Sequence, residues 1–353
     1  MTASEPLLRR RQLLRRGLAG AGLLALPTGL TGCGGQPAAV LLHAPGAPPA
    51  AWLRQLPRGW RAQPLAEPAA ISARLQSGAA AGAAPVALVA LGDGWATALP
   101  RQSWRPLQAA APLAALADWA QPAARLFAPE SQPALAFPWS FSPWVLVLRS
   151  RPALAARAAE GWDLLLDPSL QDKLVLPSSP RLCMELMGHD FQRIQALRRQ
   201  PLAYDDRHAL SLLMAAGAEA AVVPLRSVIP LLRRDPRLAV VLPASGAPLS
   251  WQLLLRPGAG EDSPRDPAPG EAIVPWLGLA LEPPLLPDLL LSGWVPPLPR
   301  SLLEPLMAPF PGAIASLLLP PEGVLERCWN LGPLSLPERL ELQTVWDAAA
   351  APA

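Results

Sequence analysis

Short, uninterrupted apolar runs alternate with stretches rich in alanine and leucine along this chain. Residues 85–91 are entirely apolar and are closed by Gly92-Asp93-Gly94, which is typical of a strand buried on both faces and ending in a tight loop. Similar runs predict strands at 40–44, 145–149, 174–176, 221–224 and 238–242. The intervening stretches predict helices at 152–159, 183–199 and 206–216, and a surface loop is expected at 258–270.

This alternation of strands and helices predicts an α/β fold with mostly parallel sheets and helices on both faces. The chain has 47 prolines and 25 glycines, but 51% of its residues are hydrophobic. A chain of this composition can bury a core, so we interpret the prolines as breaks between short elements rather than as a mark of disorder.

The N-terminus carries an export pattern. Arg10-Arg11-Gln12-Leu13-Leu14 is a twin-arginine motif, an apolar stretch follows at 17–30, and Leu30-Thr31-Gly32-Cys33 matches the bacterial lipobox. The apolar stretch is shorter than the roughly 20 residues that a membrane-spanning helix needs. We predict a signal peptide over 1–32 and lipid attachment at Cys33; an apolar N-terminal helix beside an incidental cysteine is the alternative.

Charge and residue usage exclude several classes of function. Five arginines precede Cys33, so the net charge of +3 belongs to the leader and gives no basic patch for nucleic acid. His43, His189 and His208 are far apart, and one lysine is present, outside any phosphate-loop motif. We therefore predict no metal, no cofactor and no enzymatic activity.

Tryptophan is unusually frequent, with 13 residues against five phenylalanines and one tyrosine. Trp95, Trp139 and Trp251 stand next to turn residues or polar residues, where aromatic rings can form the walls of a ligand cleft. Burial in the core is the alternative for each of them. Cys183 and Cys328 are either a disulfide pair or two free thiols.

Several motifs occur in an order that resembles a known family. They are the lipobox, Leu91-Gly92-Asp93-Gly94-Trp95, Pro138-Trp139-Ser140-Phe141, Gly161-Trp162-Asp163-Leu164-Leu165-Leu166-Asp167-Pro168, Lys173-Leu174-Val175-Leu176-Pro177, Ser250-Trp251-Gln252 and Gly293-Trp294-Val295-Pro296. In this order they resemble the extracellular solute-binding proteins of bacterial ABC importers, in the spermidine/putrescine-binding branch.

The resemblance implies a two-lobe periplasmic-binding-protein-like fold, with crossing hinge strands and a ligand cleft between the lobes. Lobe one is expected to take 33–140 plus 253–292, and lobe two 141–252 plus 293–353. It also implies a monomer on the periplasmic side of the cell membrane, attached only through its lipid. The partners would be a small-molecule solute, an ABC permease and its ATPase, with no nucleic acid.

The resemblance further suggests the ligand contacts. Asp93 would be a counter-ion to an amine, with Glu185 as a second acid, Trp95, Trp139 and Trp251 as aromatic walls, and Ser179 and Gln252 as polar contacts. A polyamine is the solute that the resemblance implies. Ser179, Leu182 and Gln252 stand where this family places acids, however, and Arg226 would suit a less cationic or an anionic solute.

Two other classes of function stay open at this point. The chain could be a lipid-anchored scaffold or assembly factor that uses the fold without transport, or a hydrolase whose site follows no familiar motif. Genes for a permease and an ATPase beside this one would favour the importer over the scaffold.

Overall fold

In the computed structural model, two sets of parallel strands are joined by two long strands that run through the middle of the molecule. The structure describes residues 38–77, 84–215, 217–258 and 273–350. The predicted signal peptide, Cys33 and nearly all of the predicted loop at 258–270 lie outside these ranges. All described residues belong to one unit, Pro37–Ala353.

The described residues form eleven strands, whose bounds are β1 Ala39–His43, β2 Trp60–Pro64, β3 Val86–Gly92, β4 Trp104–Arg105, β5 Ala136–Arg149, β6 Leu174–Leu176, β7 Pro201–Tyr204, β8 Ala220–Pro224, β9 Leu238–Val241, β10 Pro248–Pro257 and β11 Trp329–Asn330.

They also form sixteen α-helices, α1 Ala50–Leu53, α2 Pro68–Gln76, α3 Asp93–Ala98, α4 Ala110–Ala114, α5 Gln121–Ala124, α6 Pro152–Ala155, α7 Pro180–Leu186, α8 Phe191–Leu197, α9 Ala209–Ala215, α10 Leu225–Leu232, α11 Ile273–Gly278, α12 Leu285–Leu291, α13 Arg300–Leu303, α14 Gly312–Leu318, α15 Glu322–Leu325 and α16 Leu336–Ala348. Short 3₁₀ helices lie at Arg101–Ser103, Asp118–Ala120, Ala158–Leu166, Pro168–Leu170, Leu279–Leu281 and Glu304–Met307.

The strands are arranged in two similar sheets. The first sheet has the order β2-β1-β3-β10-β5, with β1 parallel to β2 and β3. The second sheet has the order β7-β6-β8-β5-β9, with β6 parallel to β7 and β8. In each sheet the parallel strands are followed by antiparallel neighbours, so the predicted α/β class is confirmed. The expectation of mostly parallel sheets is wrong, because the long strands β5 and β10 add antiparallel pairs to both sheets.

Strand β5 belongs to both sheets because its neighbours change along its length. Residues from Ala136 to Pro143 pair with β10, and from Trp144 onward the strand pairs with β8 and β9. Pro143 stands where the partner changes, at a position where a missing N–H is tolerated. The pairing also shifts opposite Pro138, and Trp139 has no direct partner on β10, as in a β-bulge.

Side chains of the second sheet alternate between two hydrophobic clusters. Val145, Val147 and Val223 pack into a large cluster that also contains the core of the first sheet. Leu146, Leu148 and Val222 point to the opposite face and pack with α7, α8 and α16. Both faces are therefore covered, which explains why these strands appear as continuous apolar runs in the sequence.

All three predicted helices have different bounds in the structure. The helix expected at 152–159 ends at Ala155, and a separate 3₁₀ helix begins at Ala158. The single helix expected at 183–199 is wrong: α7 ends at Leu186, Gly188 and His189 have positive φ, and the Asp190 side chain accepts a hydrogen bond from Arg193 N as the N-cap of α8. The helix expected at 206–216 begins at Ala209, because the Asp205 carboxylate holds the N–H groups of residues 207 and 208 in a turn.

No single helix in the described ranges is long and apolar enough to cross a membrane. The segments Ile273–Leu281 and Leu285–Leu291 have that length and composition only together, and they are bent by 55° with respect to each other. Their apolar side chains, among them Trp276, Leu277, Leu286 and Leu290, are buried in the larger core cluster.

Candidate functional site

The loops that carry the candidate residues follow the carboxyl ends of the parallel strands. Asp93 follows β3 in the first sheet, while Ser179 follows β6 and Arg226 follows β8 in the second sheet. In α/β proteins of this kind, ligands bind at this edge of a sheet. The contacts of each candidate side chain show which of them lie together at this edge.

Asp93 lies at the junction of α3 with the crossing strand β10. Its side chain is 9% exposed, and its Oδ1 accepts a hydrogen bond of 3.2 Å from the backbone N–H of Trp251. Burial raises the pKa of Asp93 to about 6, while backbone hydrogen bonds and the positive charge of Arg181 act in the opposite direction. Arg181 is on α7, beside the second sheet.

The predicted residues of β10 lie beside Asp93 but differ in exposure. Trp251 is fully buried, and its Nε1 donates a hydrogen bond of 2.7 Å to Oδ1 of Asn330 on β11. Its ring packs against Trp119 and Phe141. Gln252 is half-buried and pairs with Gly92 of β3 and with Ser140 of β5.

Glu185 is surrounded by partners from its own helix and from β11. Its carboxylate contacts Arg181 at 3.7 Å and His189 at 3.5 Å, and it accepts a hydrogen bond of 3.2 Å from Nε1 of Trp329. Arg181 also donates a hydrogen bond of 2.6 Å to the carbonyl oxygen of Gly332. The segment after β11 is thus fixed against α7 on one side and, through Asn330, against β10 on the other.

Ser179 and Trp95 are exposed and do not contact these groups directly. Ser179 is the N-cap of α7, where its hydroxyl accepts a hydrogen bond of 3.3 Å from the N–H of Leu182. Trp95 is 42% exposed on α3, two residues after Asp93. Of the three predicted aromatic walls, Trp95 alone presents a large area to solvent.

Trp139 and Arg226 meet at a third residue, Trp294. Trp139 is fully buried, with its ring 4.8 Å from that of Trp294 and 5.4 Å from that of Trp52. The Cζ of Arg226 lies 4.7 Å above the Trp294 ring. Burial lowers the pKa of Arg226 to about 10.

The structure therefore divides the predicted site residues into three groups. Asp93, Trp251 and Gln252 lie together, Trp139 and Arg226 share Trp294, and Glu185 is bound to Trp329 and Arg181. Sequence analysis missed Arg181, Asn330 and Trp294 as members. The Gly293-Trp294 motif was a usable signal for the last of these, whereas nothing in the sequence distinguished Arg181 from the 28 other arginines.

Metal binding and the surface cavities give no further site residues. In the described ranges, no group of three or more His, Cys, Asp or Glu side chains could hold a metal ion. A cavity of about 290 Å³ lies beside α6 and contains Arg151, Arg157 and Asp167. A second cavity of about 300 Å³ lies between α13 and α14. Cys183 and Cys328 are free thiols.

Comparison with solved structures places this arrangement among known folds. The chain is similar to the spermidine/putrescine ABC transporter substrate-binding protein PotD from Streptococcus pneumoniae, with a TM-score of 0.67 and 11% identity over 88% of this chain and 97% of that chain. The chain has the fold of the substrate-binding proteins of ABC transporters. No protein-family model and no curated protein matches its sequence.

Two further substrate-binding structures show the same fold. The TpPotD lipoprotein of Treponema pallidum matches with a TM-score of 0.59 and 12% identity, over 88% of this chain and 98% of that chain. A periplasmic thiamin-binding protein matches with a TM-score of 0.61 and 12% identity, over 94% of this chain and 100% of that chain. These neighbours are binding proteins rather than enzymes, and their ligands differ, so the fold leaves the solute open.

Proposed function

We propose that this protein is the substrate-binding component of an ABC importer, capturing a small organic solute and delivering it to a membrane permease whose ATPase drives uptake. The main support is the fold, which matches transport substrate-binding proteins over nearly their whole length. The placement of charged and aromatic side chains at the strand ends of both sheets also supports it. We further propose that the protein acts as a monomer.

Solute capture would proceed by closure of two lobes around a hinge. We propose that lobe one consists of 33–140 plus 253–292 and lobe two of 141–252 plus 293–353. The change of pairing partner on β5 between Pro143 and Trp144 supports the first boundary. The start of the β3–β10 pairing at Gln252 supports the second.

The ion pair between Glu67 and Arg207 supports closure as a working motion. Glu67 precedes α2 beside the first sheet, and Arg207 precedes α9 beside the second sheet. Both side chains are exposed, so the pair contributes at most about 1 kcal/mol. A contact this weak can form on closing and break on opening without trapping either state.

The nature of the solute is a separate part of the proposal. A polyamine has the support of the Streptococcus pneumoniae neighbour, whose name states spermidine and putrescine. Against it, Glu185 is already paired with Arg181 and His189, and Asp93 is bonded to the Trp251 backbone. Because each ammonium would need a charged partner that these acids do not offer, we expect polyamines to bind weakly.

We also propose that the protein is exported by the twin-arginine route and attached to the periplasmic side of the cell membrane by lipid on Cys33. The leader motifs carry this part, and the Treponema pallidum neighbour is itself named a lipoprotein. An acylated cysteine with more than one chain is sufficient for stable attachment.

Mass spectrometry of the protein purified from its own membranes tests both the lipid anchor and the binding of a solute. Under denaturing conditions we expect the mass of a chain that begins at Cys33 and carries acyl groups, and the Cys33→Ala variant should lack them. Under native conditions we expect an additional small organic solute. A wild-type mass without acyl groups would contradict the anchor, and solute-free protein from cells grown in rich medium would contradict the binding function.

A further inference from the structure

Arg226 is fixed at the point where β5 passes from one sheet to the other. It is the second residue of α10 and lies two residues after the carboxyl end of β8. Its backbone N–H donates a hydrogen bond of 3.0 Å to the hydroxyl of Ser142, which is 2% exposed on β5. The backbone of Arg226 also packs against Gly293, where a Cβ atom would lie 2.7 Å from the Arg226 carbonyl oxygen. These contacts hold the backbone of Arg226, and with it the start of its side chain, in one place.

The charged end of Arg226 has no acidic partner among the described residues. Arginines elsewhere in the second sheet's surroundings pair with carboxylates, as Arg157 does with Asp167 and Arg237 with Asp235. Arg226 instead places its guanidinium over the Trp294 ring, and its buried Nε has no hydrogen-bond acceptor. Its pKa of about 10 keeps it charged at neutral pH. A half-buried positive charge without a counter-ion is costly unless a ligand supplies one.

A second unpartnered donor lies against the same tryptophan. Trp139 is fully buried, and its Nε1–H has no acceptor, although buried indole N–H groups usually have one. Its ring contacts the ring of Trp294, which Arg226 also contacts. Both unpartnered groups are donors. The indole N–H needs a hydrogen-bond acceptor, and the guanidinium needs an acceptor with negative charge; an ammonium satisfies neither.

We propose that Arg226 binds a carboxylate group of the transported solute, so that the solute is a small organic acid rather than a polyamine. The planar guanidinium can bind both oxygens of a carboxylate in a bidentate arrangement, and stacking on Trp294 orients its donors. This proposal rests on the proposed function of solute binding and specifies its substrate class. Asp93 is bonded to the backbone of Trp251, and Glu185 is paired with Arg181. Arg226 is therefore the charged group of the site that is available to select the ligand.

Calorimetry with matched solutes tests this proposal. The probes are linear dicarboxylates from oxalate to adipate and linear diamines of the same carbon numbers. The proteins are the wild type, Arg226→Gln, Arg226→Lys, and Arg234→Gln as a control on an exposed arginine just after α10. Thermal melts of all four report whether each variant is folded.

We expect at least one dicarboxylate to bind the wild type and to bind Arg226→Gln about 10- to 100-fold more weakly, the loss of one charge-assisted interaction. Arg226→Lys should lose less, since it keeps the charge without the fork, and Arg234→Gln should match the wild type. A folded Arg226→Gln protein with unchanged dicarboxylate affinity would overturn the proposal, as would a wild type that binds no dicarboxylate.

The outcomes separate this proposal from the proposed function. If a diamine binds the wild type tightly and Arg226→Gln strengthens that binding, the substrate class is wrong and solute binding stands. If no probe binds and no solute is found on the protein from its own cells, both fail.

Discussion

At the residue scale, the buried carboxylate of Asp93 links ligand chemistry to stability. It accepts a backbone hydrogen bond from the crossing strand, and its burial raises its pKa from 3.8 to about 6. The folded protein therefore binds this proton more tightly than the unfolded chain does. By linkage, stability falls as the pH rises from about 4 to about 6, and above that range the protein carries the full cost of the buried charge.

We predict that Asp93→Asn raises the melting temperature at about pH 8 and that the gain disappears near pH 4. The amide keeps an oxygen for the Trp251 N–H and removes the charge, which is worth up to about 3 kcal/mol for a shift of this size. Thermal melts over the pH range measure this, with Asp118→Asn as an exposed control. A variant that is less stable than wild type by the same amount at every pH would show that charge burial is not the governing effect.

Which site residues could be predicted depended on whether their signal was local. Asp93 is marked by the loop that closes an apolar run, and Arg226 by its place after another such run. Arg181 and Asn330 belong to the same region only because the segment 329–332 packs between α7 and β10. The sequence neighbours of Trp139 and Trp251 are typical of turns, which favoured exposed rings. Both rings are buried instead: Trp139 lies at the β-bulge next to Pro138, and Trp251 packs against Trp119 and Phe141.

At the scale of elements, the segment Gly293–Val295 contacts both the crossing strand β5 and the helix α10. The N–H of Phe141 on β5 bonds to the Val295 carbonyl at 3.0 Å, and the turn before it brings Gly293 against the backbone of Arg226. Gly293 has a φ of +83°, and a Cβ there would lie 2.7 Å from a backbone oxygen. Both features require glycine.

We predict that Gly293→Ala lowers the free energy of unfolding by about 2–4 kcal/mol, because it combines a left-handed conformation with a steric clash. Gly312→Ala is the matched control, since its Cβ would meet nothing within 4 Å at the start of α14. Urea unfolding compares the two. Equal stabilities for both variants would mean that the turn at Gly293 can move away from Arg226.

Strands were predictable where helices were not, for a physical reason. A strand covered on both faces appears as a continuous apolar run, and β3, β6, β8 and β9 lie within one or two residues of their predicted positions. Helices in this chain are short, and their ends are set by single side chains. With Ser179 as its cap, α7 begins three residues before the predicted start, and Asp190 begins α8 inside the stretch that was predicted as one helix.

At the scale of the whole molecule, the order of motifs predicted the fold better than any one motif did. The two sheets repeat the same arrangement of parallel strands beside an antiparallel neighbour, and both depend on β5. A conformational change in one sheet can therefore be transmitted to the other sheet through β5, β10 and the segment after Gly293. The solute was not predictable at this scale, because this fold holds different ligands in different proteins.

The most direct test of the account is the distance between α2 and α9, which border the Glu67–Arg207 contact from opposite sheets. Spin labels at Ala73→Cys and Ser211→Cys, both exposed, report this distance by pulsed electron resonance when the three native cysteines are replaced by alanine. We predict a long and broad distance distribution without solute, and a shift to a short and narrow one when the solute found on the native protein is added. A single distance that the solute leaves unchanged would contradict binding by lobe closure.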